Sequence, residues 1–443
     1  MGVMPVRQLI ISMSLPMMIS MLVQALYNVV DSIFVARLSE NALTAVTLAF
    51  PLQNLMIAVG SGTGVGVNAL LSRALGEKKF KRADKAANMA LFLSFCNFLL
   101  FAAVGLFIAG PFIRSQTADT EIAAMGMSYL RIVNCLSVGL MFQMMFERLL
   151  QSTGRTVQSM ASQLTGAVMN IILDPIMIFG LLGFPAMGVA GAALATVIGQ
   201  CIAAVIGLIL NIKTNTDVHF SIREIMRPDM DIIKRVYMVG VPSILMMSIG
   251  SLMTYMMNRI LIVFSTTATA VFGVYFKLQS FFFMPVFGLN NGLIPVLAYN
   301  YGARKKDRIY EALKFSFILA VSIMLLGTLA FHLFPAQLLG FFNASEDMLA
   351  LGVPALRIIS LSFPLAACGI VMGSIFQSFS RSMNSLIVSI CRQIVALIPA
   401  AWLLAKTGSV VNVWWAFPIS EIMSMVISVF LFRKLYNEIV SPM

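Results

Sequence analysis

Charge is what this chain has least of. Asp, Glu, Lys and Arg make up 11% of its 443 residues, about half the usual share for a soluble domain. With 59% hydrophobic residues there is too little polar surface to face water, so the lipid bilayer is the expected solvent. Histidine is scarcer still. His219 and His332 are the only two, which excludes a multi-histidine metal site. Cys96, Cys135, Cys201, Cys368 and Cys391 lie in apolar stretches with no CxxC. That excludes a disulfide framework and leaves them as small buried apolar residues. No nucleophile–base or metal constellation appears, so no enzymatic chemistry is expected. The net charge of +12 resembles that of a nucleic-acid binder. Its basic residues cluster in short loops between apolar stretches, however, which is a membrane pattern, and no nucleic-acid partner is expected. A small-residue cleavage site is missing from the N-terminus as well. The first apolar stretch runs on to about Phe34, too long for a signal peptide, and reads as the first membrane helix.

What the chain does have is a repeat. Displaced by 226 residues, it matches itself without a gap from Leu15 to about Arg155. Pro16 falls on Pro242, Phe50 on Phe276, Gln53 on Gln279, Gly62 on Gly288 and Gly66 on Gly292. Gly76 falls on Gly302, Arg131 on Arg357, and Gln151-Ser152 and Arg155 on Gln377-Ser378 and Arg381. Two equivalent halves in a membrane are how many secondary transporters build alternating access.

Segments long enough to cross the hydrocarbon core fall at about 8–35, 43–73, 84–110, 122–152, 157–180 and 186–212 in the first half. The second half gives about 234–265, 268–299, 309–335, 347–380, 383–406 and 411–435. Six per half makes the repeats parallel, related by an axis along the membrane normal. The expected fold is an all-α integral membrane protein with twelve transmembrane helices, in two six-helix parallel-repeat lobes around a central cavity. The N-lobe is placed at 1–212, a cytoplasmic linker at 213–233 and the C-lobe at 234–443. Lys78, Lys79, Lys81, Arg82 and Lys85 share one face with Arg304, Lys305, Lys306 and Arg308, and with Lys213, Arg223, Arg227 and Lys234 of the linker. The opposite face has Arg37, Arg114 and Lys406, offset by Glu40, Asp119, Glu121, Glu346 and Asp347. Both termini are therefore expected in the cytoplasm, with the chain multi-pass in the inner membrane.

Ionisable groups within spans are costly and usually serve a pathway or a partner. Asp31 lies near the outer end of the first helix and Asp174 at comparable depth in the fifth. Asn170 and Asp174 are four apart and share a helix face, as do Thr196 and Gln200 in the sixth helix; Gln24, Asn28 and Asp31 form one stripe in the first. Two carboxylates among amide and hydroxyl oxygens suit a Na⁺ ion or a proton equally. The structural alternative is an interfacial Asp31 and an Asp174 that relieves the Pro175 kink. In the second half Asp31 falls on Met257 and Asp174 on Ala400. An acidic need shared by both lobes would appear twice, so the first lobe looks specialised.

Candidates for a substrate cavity are Tyr27, Gln53, Lys277, Gln279, Met284, Asn290 and Asn291. Lys277 either balances an acidic group across the cavity or snorkels outward. Arg392 and Glu421 are placed to pair, and Glu147-Arg148 reads as an interfacial ion pair. Gly60-Ser61-Gly62-Thr63-Gly64-Val65-Gly66 and Gly288-Leu289-Asn290-Asn291-Gly292 lack the ending of a phosphate loop. They are expected to let helices pack closely. The 33 Met and 33 Phe residues suit a pliable cavity, although most will face lipid or fill the bundle.

At these residues the sequence resembles the multidrug and toxic compound extrusion (MATE) family over nearly its whole length. The most specific pieces are Tyr27-Asn28-Val29-Val30-Asp31-Ser32-Ile33-Phe34-Val35, Asn170-Ile171-Ile172-Leu173-Asp174-Pro175 and Gly188-Val189-Ala190-Gly191-Ala192-Ala193. The resemblance implies an antiporter that exports organic, often cationic compounds against inward H⁺ or Na⁺ flow, with no other cofactor. It implies coupling roles for Asp31, Asn170, Asp174 and Thr196 and a first-helix bend at Pro16; Gln24, Asn28 and Gln200 are expected in support from their helical spacing alone. The NorM-like branch places acidic ligands in the seventh and tenth helices. Pro242 to Tyr255 and Pro364 to Gln377 carry no carboxylate here, so the chain looks closer to the DinF- and MepA-like branches. The alternative is a flippase of a lipid-linked saccharide or peptidoglycan precursor, which would need a strongly cationic cavity. The expected partners are a small organic substrate and the bilayer, with the monomer as the working unit.

Overall fold

The computed structural model describes every residue except Asn343, and every side chain among them except that of Glu40. Without water, only a helix satisfies all the backbone polar groups of a segment internally, and the chain follows that rule. Among the described residues, ten helices are long and apolar enough to cross a membrane, and two bent pairs bring the number to twelve. The first repeat holds α1 (Val6–Ala36), α2 (Glu40–Gly76), α3 (Phe80–Phe107), α4 (Thr120–Cys135 with Val138–Ser152), α5 (Thr156–Phe179) and α6 (Val189–Thr214). The second holds α7 (Met230–Leu261), α8 (Thr266–Gly302), α9 (Lys306–Leu333), α10 (Glu346–Ser360 with Phe363–Ser378), α11 (Ser382–Ala405) and α12 (Val410–Val440).

Hydropathy predicts unbroken fourth and tenth spans, but both are bent by 47°. In α10 the cause is Pro364, just past the break. It has no N–H, and its ring crowds the carbonyl four residues back. That carbonyl, on Ser360, accepts instead from Thr328 Oγ1 at 2.9 Å. Val138 occupies the proline's repeat position in α4, yet the bend persists there.

The duplication reaches the backbone. Ser39 caps α2 through Ala42 N–H and Ser265 caps α8 through Ala268 N–H, each at 3.0 Å. Lys78 and Arg304, 226 residues apart, follow those helices with φ of 57° and 53°. Lys79 and Lys305 then donate back to the Ala74 and Asn300 carbonyls, both at 2.9 Å, which closes each helix with a Schellman turn.

Two compact units emerge: Ile19–Ile244, and Met1–Met18 joined to Leu245–Met443. Each boundary falls inside the leading helix of a repeat, two residues past Pro16 in α1 and past Pro242 in α7. Within the first unit, the start of α7 lies against α2. A Cβ on Gly62 would stand 2.9 Å from the Gly240 carbonyl oxygen, and one on Gly66 would overlap the Val236 carbonyl oxygen. Within the second unit, the start of α1 lies against α8. A Cβ on Gly288 would be 2.5 Å from Met18 Cα, and one on Gly292 would be 2.8 Å from Ser14 Cα. The repeated glycines are close-packing points, as expected. Their partner in each case is the leading helix of the other repeat.

The linker is fastened to the first unit by polar contacts. Arg155 donates to the Thr214 carbonyl at 2.5 Å, to Asp217 Oδ2 at 2.8 Å and to Thr216 Oγ1 at 3.2 Å. Asn88 holds the His219 carbonyl at 3.0 Å and the Ser221 N–H at 2.9 Å. Charge-assisted bonds of this kind contribute about 1.5–3 kcal/mol each before exposure is discounted. Arg155→Gln should raise amide hydrogen exchange across 214–220 and leave the spans unchanged. Unaltered exchange there would mean that Asn88 and Asp84, which accepts from the His219 N–H at 2.9 Å, hold the segment without Arg155.

Candidate functional site

The first unit brings the polar residues of α1, α5 and α6 together through a glycine crossing. A Cβ on Gly166 of α5 would lie 3.0 Å from the Gly199 carbonyl oxygen, and one on Gly199 of α6 would lie 2.8 Å from that of Gly166. No side chain separates the two helices there. One turn further along, Asn170 therefore meets Thr196, its Nδ2 donating to Oγ1 at 3.2 Å. The Thr196 hydroxyl in turn donates a hydrogen bond to the Ala192 carbonyl at 3.0 Å. The Thr196 hydroxyl and one amide N–H of Asn170 are thus committed, and Asn170 Oδ1 is buried with no hydrogen-bond partner among the described residues.

Asp174, one turn after Asn170, is completely buried, and neither of its carboxylate oxygens has a partner among those residues. Asp31 of α1 is half-buried, and its Oδ1 lacks a partner too. The two carboxyl groups lie within side-chain hydrogen-bonding reach of each other. Two carboxylates that close, cut off from water, repel strongly unless a positive charge stands between them. Gln200 adds another buried, unpartnered oxygen, Oε1. Every orphaned atom named here is an acceptor, and a set of oxygens without donors suits a proton or a hard cation.

The surroundings differ in part from the sequence expectations. Gln24 accepts from Gln163 Nε2 at 2.9 Å, whereas Asn28 is exposed. Gln53 accepts from the Tyr129 hydroxyl at 3.3 Å, and both Tyr27 and Tyr129 lie within electrostatic reach of Asp31 and Asp174. Sequence reasoning passed over Tyr129 and Gln163. Gln163 left a signal, since it stands seven and eleven residues before Asn170 and Asp174 on one helical stripe. Tyr129 left only the general need of a buried tyrosine hydroxyl for a partner.

The remaining cavity candidates belong to the second unit. Gln279, Met284 and Asn291 are half-buried, and Asn290 Oδ1 is buried without a partner among the described residues. Lys277 is exposed, with its ammonium 5.9 Å from the centroid of the Phe342 ring. The pairing of Arg392 with Glu421 is present, Nη1 to Oε1 at 3.3 Å. Glu147 and Arg148 do not form the interfacial pair expected of them. Adjacent residues on a helix point in different directions. Glu147, 8% exposed, accepts from Gln143 Nε2 at 3.0 Å, while Arg148 donates to Gln151 Oε1 at 3.1 Å and reaches Ser61 Oγ at 3.5 Å.

Comparison with known proteins gives a family match and relatives that cover nearly the whole chain. The MatE family model matches residues 16–176 and again 242–403. The chain is similar to the multidrug export protein MepA of Staphylococcus haemolyticus, 25% identical over 430 residues, covering 96% of this chain and 93% of that protein. It superposes with a TM-score of 0.93 on an outward-facing multidrug resistance MATE family transporter of the MOP superfamily, at 26% identity, covering 99% and 97% of the two chains. A MOP superfamily transporter from Pyrococcus furiosus, described as having a binding pocket of reverse polarity that suggests a different function, superposes at 0.92. There the identity is 26%, with 98% and 96% of the chains covered.

Proposed function

The chain belongs to the MatE family, and from that premise we propose that it exports organic, cationic and amphipathic compounds in exchange for H⁺ or Na⁺ taken up at Asp31 and Asp174. The observation that carries this reading is the set of buried carboxylate oxygens with no donor: one on Asp31 and both on Asp174. An ion bound there cancels negative charge in the first unit and so weakens its hold on a cationic cargo. Cargo bound first opposes ion uptake by the same factor, because linkage is reciprocal; coupling of this kind typically amounts to about 1–3 kcal/mol. Asn170 and Thr196 orient the site, and Gln200 offers a further oxygen. Pro16 removes one hydrogen bond from α1, which makes bending of the helix that carries Asp31 easier. An acidic, donor-poor site of this sort repels a lipid-linked pyrophosphate, so the flippase reading is the weaker one. The working location is the plasma membrane, with the basic loops and both termini in the cytoplasm.

The test is export of a cationic dye from proteoliposomes containing the purified protein, with a pH gradient and a Na⁺ gradient imposed separately. Dye movement should follow one gradient and stop when it is collapsed. Movement that ignores both gradients would sink the antiport reading.

A further inference from the structure

Four carboxylates lie within the apolar spans away from the basic loops: Asp31, Glu147 and Asp174 in the first unit, and Glu421 alone in the second. Asp174 has no partner for either oxygen, but Glu421 has Arg392 Nη1 3.3 Å from its Oε1. The two carboxylates do not stand at repeat-equivalent positions, since Asp174 of α5 falls on Ala400 and not on Glu421 of α12. Counted by the repeat, Glu421 of α12 corresponds to Ala195 of α6, next to Thr196, and Arg392 of α11 corresponds to Gly166 of α5. Met425 likewise corresponds to Gly199. In the first unit, then, the fifth and sixth helices touch backbone to backbone at Gly166 and Gly199 and leave a set of bare oxygens one turn away. In the second unit the same two positions carry a guanidinium and a thioether.

The backbone of α11 is shaped around this arginine. Residues Cys391–Leu397 form a π-helical stretch inside an otherwise α-helical span. Such wide turns are rare, occur frequently at functional sites, and rotate the following side chains out of α-helical register. Gln393, in the same turn, is 6% exposed and bonds Ser389 Oγ at 2.9 Å. It is Arg392 that extends to α12. Tyr275 of α8, 3% exposed, lies in electrostatic reach of the pair.

We propose that Arg392 is a built-in counter-ion for Glu421, giving the second unit a tethered cation where the first has bare oxygens, and so confining ion coupling to one lobe. This rests on the exchange reading given above and adds the reason for its one-sidedness. A tethered cation neutralises its carboxylate permanently, so Glu421 has no ion to take up or release during a cycle. Arg392 is thus a positioning residue that acts through Glu421.

Two variants and two readouts test this. In Arg392→Met, Glu421 loses its partner, and infrared difference spectra between acidic and alkaline buffer should gain one titrating carboxyl band. That band should vanish in Arg392→Met/Glu421→Gln. The coupling ratio of Arg392→Met should rise by roughly one ion per substrate molecule, a residual buried carboxylate needing its own counter-charge. The double variant exchanges a charged pair for a neutral one, so it should fold whether or not the single variant does, and it should keep the wild-type ratio. Loss of coupling in the double variant would overturn the proposal, because the pair would then be taking part in exchange. So would a folded Arg392→Met with no new band and an unchanged ratio. The infrared readout does not depend on transport, and wild-type protein run in parallel shows separately whether any ion is exchanged at all.

Discussion

Replacing Asp174 with asparagine should abolish ion-driven export while leaving a folded protein. Asp174 is completely buried and both its oxygens lack partners among the described residues, so ionising it in the empty site costs several kcal/mol. The asparagine side chain has the same shape, and its amide donates toward Asp31, the neighbour within hydrogen-bonding reach. The variant therefore imitates the ion-loaded state and cannot leave it. Gradient-driven dye accumulation should fall at least about 100-fold, since a transporter fixed in one charge state has lost the differential binding on which coupling depends. Dye affinity should fall as well, and thermal stability should not. Asp31→Asn should also lose ion-driven export, with a smaller gain in stability because Asp31 is only half-buried. Dye counterflow, which needs no ion exchange, separates the cases. A variant that retains counterflow but not accumulation has lost coupling alone. Full gradient-driven accumulation by Asp174→Asn would remove this residue from the mechanism.

Much of the architecture was legible because lipid imposes strict rules. Twenty apolar residues in a row have few alternatives to a spanning helix, and the shift of 226 residues that pairs Pro16 with Pro242 also pairs Lys78 with Arg304 in left-handed backbone. The Asn170–Thr196 contact follows from two small glycines in register, a pattern visible once α5 and α6 are known to cross. The breaks in α4 and α10 were less visible. A span that bends around Leu136 or Leu361 stays apolar throughout, and hydropathy measures apolarity, not continuity. Pro364 was a clue for one break, while Val138 shows that the other needs no proline. Glu147 and Arg148 misled because adjacency in sequence is not adjacency on a helix. The partner of each glycine run was hidden for a different reason. Local sequence states that another backbone comes close, but which helix arrives is decided by the tertiary fold.

That last point yields the second large effect. At Gly66 a Cβ would overlap the Val236 carbonyl oxygen, a backbone atom of α7 that cannot turn aside. Gly66→Val should therefore drive the start of α7 away from α2. Relief requires moving a whole helix, so the cost should exceed the usual overpacking range of about 1–3 kcal/mol. Little folded protein should be recovered in detergent, and what is recovered should aggregate at a markedly lower temperature in a thermal ramp. Gly292→Val should behave alike within the other unit, where Ser14 Cα would stand 2.8 Å from the new Cβ. Gly273 provides the control. Nothing stands within 4 Å of its added Cβ, so Gly273→Ala should cost less than about 1 kcal/mol. Should Gly66→Val melt with the wild type while Gly273→Ala does not, the close approach of the two backbones would not be what the glycine serves. The repeat of Gly66 at Gly292 would then need another cause.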